Sequence, residues 1–456
     1  MQMLELLMIL AYVIIVMTIG LFSRRIKGGD DFIMGQRKIE RLGTTMSIFA
    51  TLMTESLIFF AVALTVFYGP LGGIMAIIGG SLALLIMSII APRAHANGVK
   101  NRFVCISEYC RQKWGKLTGQ LSRMAFLLLL AWVIVLQINL NGNLLSGILG
   151  WTPMESSVLV VVVVLFYLLI GGYHSVIRTD VFQGILLGFI LLLPLMISPR
   201  PNVIEAFDTR FLSVDVLLLF LMSFALTITR PELWQRIYSS KSGKIAARSL
   251  RIVALIYFIF GCFILYYALA VIQAAPDLSP TRAFAEGYRT ILPPVISALF
   301  PVLLLAAMMS SLDSATFLLA ADVTKIKSYF MKNPILWTRI FIVIFLIGGG
   351  LASLTIFNTL TFAYKINGIV ALFMIPLLLS FWIEIPRNVL GISIAIGLIT
   401  YVVQILIGRI DINPSEAILP ALLTGFLLIV GYLIKWKDTH HSNHGSYRRG
   451  YRKGND

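Results

Sequence analysis

Four clusters of polar residues interrupt long apolar stretches of this sequence, and each has the makings of a site for a charged species. Within residues 47–56 (SIFATLMTES), Thr51, Thr54, Glu55 and Ser56 fall in an otherwise apolar run. The threonines can bond back to their own helix, but a carboxylate there needs a partner, a proton or water, which marks Glu55. Within residues 306–314 (AAMMSSLDS), Ala307, Ser310 and Ser311 stand at i, i+3 and i+4 and share one helix face. A small residue followed by two hydroxyls leaves room for a cation and offers the hard oxygen ligands that alkali and alkaline-earth ions prefer. The same pattern also serves close helix packing. Asp313 and Ser314 follow at once and weigh towards function.

The third cluster, residues 171–183 (GGYHSVIRTDVFQ), reads as a short turn made by two glycines. Thr179 or Asp180 would then cap the next helix by accepting backbone N–H bonds; for Asp180 a cap and an ion ligand fit equally well. The fourth is Tyr364, Lys365 and Asn367, where the lysine must snorkel, pair with an acid or meet an anionic substrate. Gln137, Asn139, Asn141 and Asn143 alternate near the end of another apolar run, a spacing that suggests unwound or pore-lining helix. No metal-ligand set, nucleophile–base pair or phosphate loop falls within these runs, so the sequence does not read as an enzyme.

The elements that carry these clusters must be membrane helices. The chain has 456 residues, 58% hydrophobic and only 13% charged, with a mean hydropathy of +0.90. Soluble domains are near half apolar and a quarter charged, so a soluble enzyme, a disordered chain and a nucleic-acid binder are poor fits. Three cysteines, Cys105, Cys110 and Cys262, are too few for a disulfide framework. Windows of about 20 apolar residues, enough to cross roughly 30 Å of hydrocarbon, begin near Leu4, Thr45, Gly73, Ser122, Pro153, Arg178, Phe211, Arg248, Ile291, Arg339, Thr359, Asn388 and Pro414. The first is read as a retained span and not a signal peptide.

The basic residues support these thirteen spans. With the N-terminus outside, only Arg200, Arg210, Arg282, Arg289 and Arg409 of the 37 Lys and Arg fall in outward loops. Lys365 lies within a span and the rest face inward, as the positive-inside rule requires. The net charge of +16 is thus a topology signal, with attraction to anionic lipid as a secondary effect. The segment 104–116 is amphipathic and basic, suited to the inner surface. The polar tail, with His440, His441 and His444, reads as solvated and unstructured.

With these residues in view, the chain resembles the sodium/solute symporter family of sodium-coupled sugar, proline, pantothenate and sialic-acid carriers. Residues 31–37 (DFIMGQR) are similar to the family's Gly-x-Arg-ended motif before the first core helix, and 171–183 to its Gly-Gly…Thr-Asp-x-x-Gln stretch. Residues 234–240 (WQRIYSS), followed by Ala246 and Arg248, resemble its Gln-Arg loop, and 307–314 its Ala-x-x-Ser-Ser motif. His174 and Arg178 depart from the more apolar family pattern.

The resemblance implies an all-α polytopic protein with a LeuT-type core of two inverted five-helix repeats, at 45–198 and 211–384. An N-terminal span and loop (1–44) would precede it, and two further spans (385–436) and a basic tail (437–456) follow. The first helix of each repeat would be broken, one at Thr54–Ser56 and the other near Ser223, Thr227 and Thr229. The principal sodium site would combine carbonyls of Ala50, Met53 and Ala307 with the hydroxyls of Ser310 and Ser311; freed carbonyls are untenable in lipid unless something satisfies them. Some members hold a second sodium, a pattern that Asp180, Ser311 and Ser314 match. The substrate would lie beside it among Thr54, Glu55, Ser56, Gln137, Ser223, Thr227 and Lys365. Glu55 and Lys365 would either pair with each other or meet a cationic and an anionic group of the solute.

The expected function is therefore sodium-coupled symport of a small polar or charged solute by a monomer in a bacterial inner membrane, with Na+ as coupling ion. A proton-coupled carrier of the same fold and a transporter-like sensor are the alternatives. The expected partners are the solute and the lipid bilayer, and no nucleic acid.

Overall fold

The computed structural model describes residues 2–23, 28–53, 55–203, 213–276, 287–326, 333–355, 359–412 and 414–450. Its regular elements are helices, and among the described residues the only β pairing is an isolated parallel bridge between Ile39 and Ser240. The chain starts with α1 (Gln2–Phe22) and the short α2 (Gly29–Met34). It continues through α3 (Arg41–Leu52), α4 (Glu55–Lys100), α5 (Ile106–Trp114), α6 (Lys116–Leu149) and α7 (Pro153–Gly188). The second half holds α8 (Val214–Thr229), α9 (Pro231–Ser239), α10 (Gly243–Ala274) and α11 (Pro294–Ile326). Then come α12 (Pro334–Ser353), α13 (Thr359–Ala371), α14 (Met374–Leu379), α15 (Arg387–Leu406) and α16 (Leu419–Gly450).

Local chemistry sets many of these boundaries. Thr152 and Glu155 form a reciprocal capping box ahead of α7, with Pro153 as its first residue. The Ser242 hydroxyl accepts from Ile245 N–H at the start of α10, and Asn333 Oδ1 accepts from Leu336 N–H at the start of α12. Between α8 and α9 the cause is Pro231, which lacks an N–H and drives the preceding Arg230 out of helical geometry. The axis bends by 41° there.

By length and composition, ten described helices can cross a membrane, or eleven with the bent α8–α9 pair taken as one. The sequence reading of thirteen differs in two places. The span expected from Thr45 is divided between the 12-residue α3 and the start of α4. The spans expected from Pro153 and Arg178 both lie within α7, as two helices that meet at Gly172, where φ is 54°. That positive φ is the backbone freedom glycine supplies, and it makes the turn expected over 171–183: Tyr167 and Thr179, on either side of it, donate to the same oxygen of Asp313. Two further expectations are corrected. The helix α6 stays wound through Gln137–Asn143, with Asn141 and Asn143 donating to the carbonyls four residues earlier. The polar tail is helical as far as Gly450, since a helix already nucleated by a span extends at little further cost.

The helices pack as two groups. In one, α4 lies along α8 and α10, and α10 along α3; in the other, α6, α7, α11 and α12 pack on one another. Close approach in the first group depends on glycine: a Cβ on Gly79 would stand 2.3 Å from the Phe220 carbonyl oxygen. Apolar residues left on the outside, such as Leu7, Leu10 and Ile14 of α1, are those a membrane helix turns to lipid.

Candidate functional site

The helix α3 ends at Leu52, and Met53 leaves helical geometry with ψ 62°, so the interruption comes just ahead of Thr54–Ser56, where the sequence placed it; Glu55 and Ser56 already belong to α4. A helix end leaves its last carbonyls without intrahelical partners, and Ala50 and Met53 stand in that stretch, both buried. Opposite lies α11, which packs on α3. Its residues Ala307, Ser310 and Ser311 are fully buried. Among the described residues the Ser311 hydroxyl has no hydrogen-bond partner, and neither has that of Thr51 on α3. A buried hydroxyl without a partner is costly.

Asp180 lies one step deeper and is fully buried. It is held inside α7 and caps nothing; its neighbour Thr179 bonds back to the carbonyls of Ser175 and Val176. Ser47 donates to Asp180 at 2.5 Å, Ser310 at 2.8 Å and the Arg236 guanidinium at 3.2 Å. Arg236 also donates to Ser47 at 3.0 Å and Ser314 at 2.5 Å. Four helices, α3, α7, α9 and α11, thus converge on one guanidinium–carboxylate pair. Arg236 donates to the oxygens of two residues of the expected second ion site, Asp180 and Ser314. Asp313, also fully buried, accepts from the Tyr167 hydroxyl at 3.0 Å and from Thr179 at 3.3 Å.

Beside the break in α3 is a cavity of about 200 Å³ between α4, α6, α8, α10 and α13. Ser223 and Thr227 line it, as expected for substrate contacts, but they sit within an unbroken α8. The break expected near them lies instead at Arg230, for the proline reason given above. Arg230, Glu232, Trp132 and Tyr257 also line the cavity and were not singled out in the sequence. The Arg-Pro-Glu run at 230–232 was the available signal, being a proline break flanked by opposite charges.

The remaining candidates fall elsewhere. Gln137 is buried with its side-chain oxygen unpartnered, and it does not line the cavity although its neighbour Leu136 does. Lys365 pairs with Asp411 at 2.6 Å; of the alternatives open to it, pairing with an acid is the one realised. Thr54 and the side chains of Glu55 and Ser56 lie outside the described residues. His174 and Arg178, the departures from the family pattern, have structural partners in Asp31 and the Phe22 carbonyl.

A model of the sodium:solute symporter family matches residues 32–200. No curated protein matches the sequence. Among solved structures, a Na+-coupled sialic acid symporter in a substrate-bound outward-open state is similar, with a TM-score of 0.75 and 17% identity over 94% of this chain and 97% of that one. The chain has a LeuT-type fold. MhsT in complex with L-phenylalanine matches at a TM-score of 0.56 and 17% identity, covering 85% of this chain and 99% of that one. A nucleobase-cation-symport-1 family transporter with bromovinylhydantoin bound matches at 0.55 and 14%, covering 89% and 94%. The sialic acid symporter and the nucleobase-cation-symport-1 family protein are transporters, and the chain shares their fold; with ten described helices long and apolar enough to cross a membrane, it is a multi-pass membrane protein.

Proposed function

We propose that this protein couples sodium entry to the uptake of a small polar or charged solute. The observation that carries the reading is the Ser311 hydroxyl, fully buried, unpartnered and on one face with Ala307 and Ser310, on a helix packed against the broken end of α3. Hard oxygen ligands at a helix break are what a sodium ion requires. The ion would take the carbonyls of Ala50, Met53 and Ala307 and the hydroxyls of Ser310 and Ser311. A second sodium at Asp180 and Ser314 would have to displace Arg236, which supports a single ion. The solute would occupy the cavity lined by Ser223 and Thr227, next to Thr54–Ser56.

In this reading each rigid body draws on both repeats, 45–198 and 211–384: α3, α4, α8 and α10 form one, and α6, α7, α11 and α12 the other. Rocking of one against the other alternates access, and sodium drives it only by binding one state more tightly than the other. The basic loops orient the N-terminus outward. Thermal stability of the purified protein in sodium against choline at equal ionic strength tests the ion site. A sodium-specific rise that disappears in Ser310→Ala and Ser311→Ala supports it; equal stability in both salts overturns it.

A further inference from the structure

The charged pair at the break of the second broken helix has no task in the scheme above. Arg230 is the single residue between α8 and α9, and Glu232 lies in the first turn of α9; both line the cavity. The Glu232 side chain is 1% exposed, and among the described residues neither of its carboxylate oxygens has a hydrogen-bond partner. The nearest approach of Arg230 is Nε to Oε1 at 3.7 Å, beyond hydrogen-bond distance. Among the described residues no acceptor satisfies the five donors of the Arg230 guanidinium, which is 20% exposed. The N-terminal position on α9 makes a negative charge tolerable, but it does not explain two orphaned oxygens. In the interior such groups are paired. Here the space beside both is a cavity and not protein.

The rest of the wall limits what fills it. Trp132, Leu136, Met222 and Tyr257 present apolar surface. The volume of about 200 Å³ is below the roughly 300–1,000 Å³ of pockets for drug-sized ligands, so the occupant is a small metabolite. The two charges cancel. A solute with only an anionic group would leave Glu232 unpaired, and one with only a cationic group would leave Arg230 unpaired.

We propose that Arg230 and Glu232 are the recognition pair for a small zwitterion with an apolar body, of the amino-acid type. The guanidinium takes the solute carboxylate and the Glu232 carboxylate takes its ammonium group. This rests on the reading of the protein as a transporter. It extends that reading by giving the solute its charge pattern.

The test is thermal stability of the purified protein in sodium with each of the twenty common amino acids. The amine and the acid that lack one end of leucine, 3-methylbutylamine and 4-methylpentanoate, are added for comparison. At least one zwitterion with an apolar side chain should raise the melting temperature, and neither single-charge compound should. Arg230→Gln and Glu232→Gln should each weaken that zwitterion by roughly 10- to 100-fold, the range for loss of one charge-assisted hydrogen bond, while keeping the sodium shift. Arg230→Gln should gain a response to the amine, and Glu232→Gln to the acid. A sodium shift with no response to any zwitterion overturns the proposal and leaves the transporter reading standing, as does a response to the zwitterion that neither variant alters. Loss of the sodium shift in the parent protein is a failure of the transporter reading instead.

Discussion

The Arg236 guanidinium and the Asp180 carboxylate, 56 positions apart in the chain, meet at 3.2 Å where almost no water reaches either group. Two further helices, α3 and α11, contribute to this contact through Ser47, Ser310 and Ser314.

Breaking this pair one-sidedly should be severe. Asp180→Asn leaves Arg236 as an uncompensated buried charge, and loss of one partner of such a pair costs about 3–5 kcal/mol. The double variant Asp180→Asn/Arg236→Gln should recover part of that loss. Melting temperatures of the parent, the two single variants and the double variant in detergent check the coupling; simple additivity would show that the two groups act independently.

Ser311→Ala should act in opposite directions in two salts. In choline the variant should be as stable as the parent or slightly more so, because an orphaned buried hydroxyl has been removed. In sodium the parent should gain about 2.7 kcal/mol at a concentration near 100 times the dissociation constant, and the variant should gain nothing. Paired melting curves in the two salts measure both effects.

Gly79→Ala should destabilise by about 1–3 kcal/mol, the usual range for overpacking, since the added carbon would sit 2.3 Å from the Phe220 carbonyl oxygen. Gly147→Ala, where a Cβ meets nothing within 4 Å, is the control and should match the parent. Thermal unfolding of the two variants side by side checks the difference.

Cys105 and Cys110, at the start and in the middle of α5, should resist thiol reagents. Both are buried, and burial pushes their thiols above the usual range. A raised pKa means less reactive thiolate at neutral pH. Maleimide at pH 7 should label neither in the folded protein and both after denaturation, as read by mass spectrometry of the peptides.

Which parts of this structure could be read from the chain follows the range of the interactions. The membrane class came from composition, a property that needs no coordinates. The shared face of Ala307, Ser310 and Ser311 was legible because helical spacing is local, and the break after Leu52 because a cluster of polar residues interrupts an apolar run. Arg236 was visible only as part of a loop motif, since its partners lie 56, 78 and 189 positions away. The turn within 171–183 was legible for a local reason. Two adjacent glycines signal a turn, and the positive φ at Gly172 joins the two helices of α7 there. Lys365 admitted several fates, and the choice depended on Asp411, a residue with no local signature.

The bridge between Ile39 and Ser240 joins the chain just before the first broken helix to the chain just after the second. Ile39 N–H donates to the Ser239 carbonyl at 3.1 Å, Lys241 N–H donates to the Ile39 carbonyl at 2.8 Å, and Lys241 also reaches Glu40. Two levers clamped at one end share a single degree of freedom. A tilt of α3 tends to carry α9 with it, through this backbone link and through the Arg236–Ser47 hydrogen bond, so whatever orders one break is felt at the other.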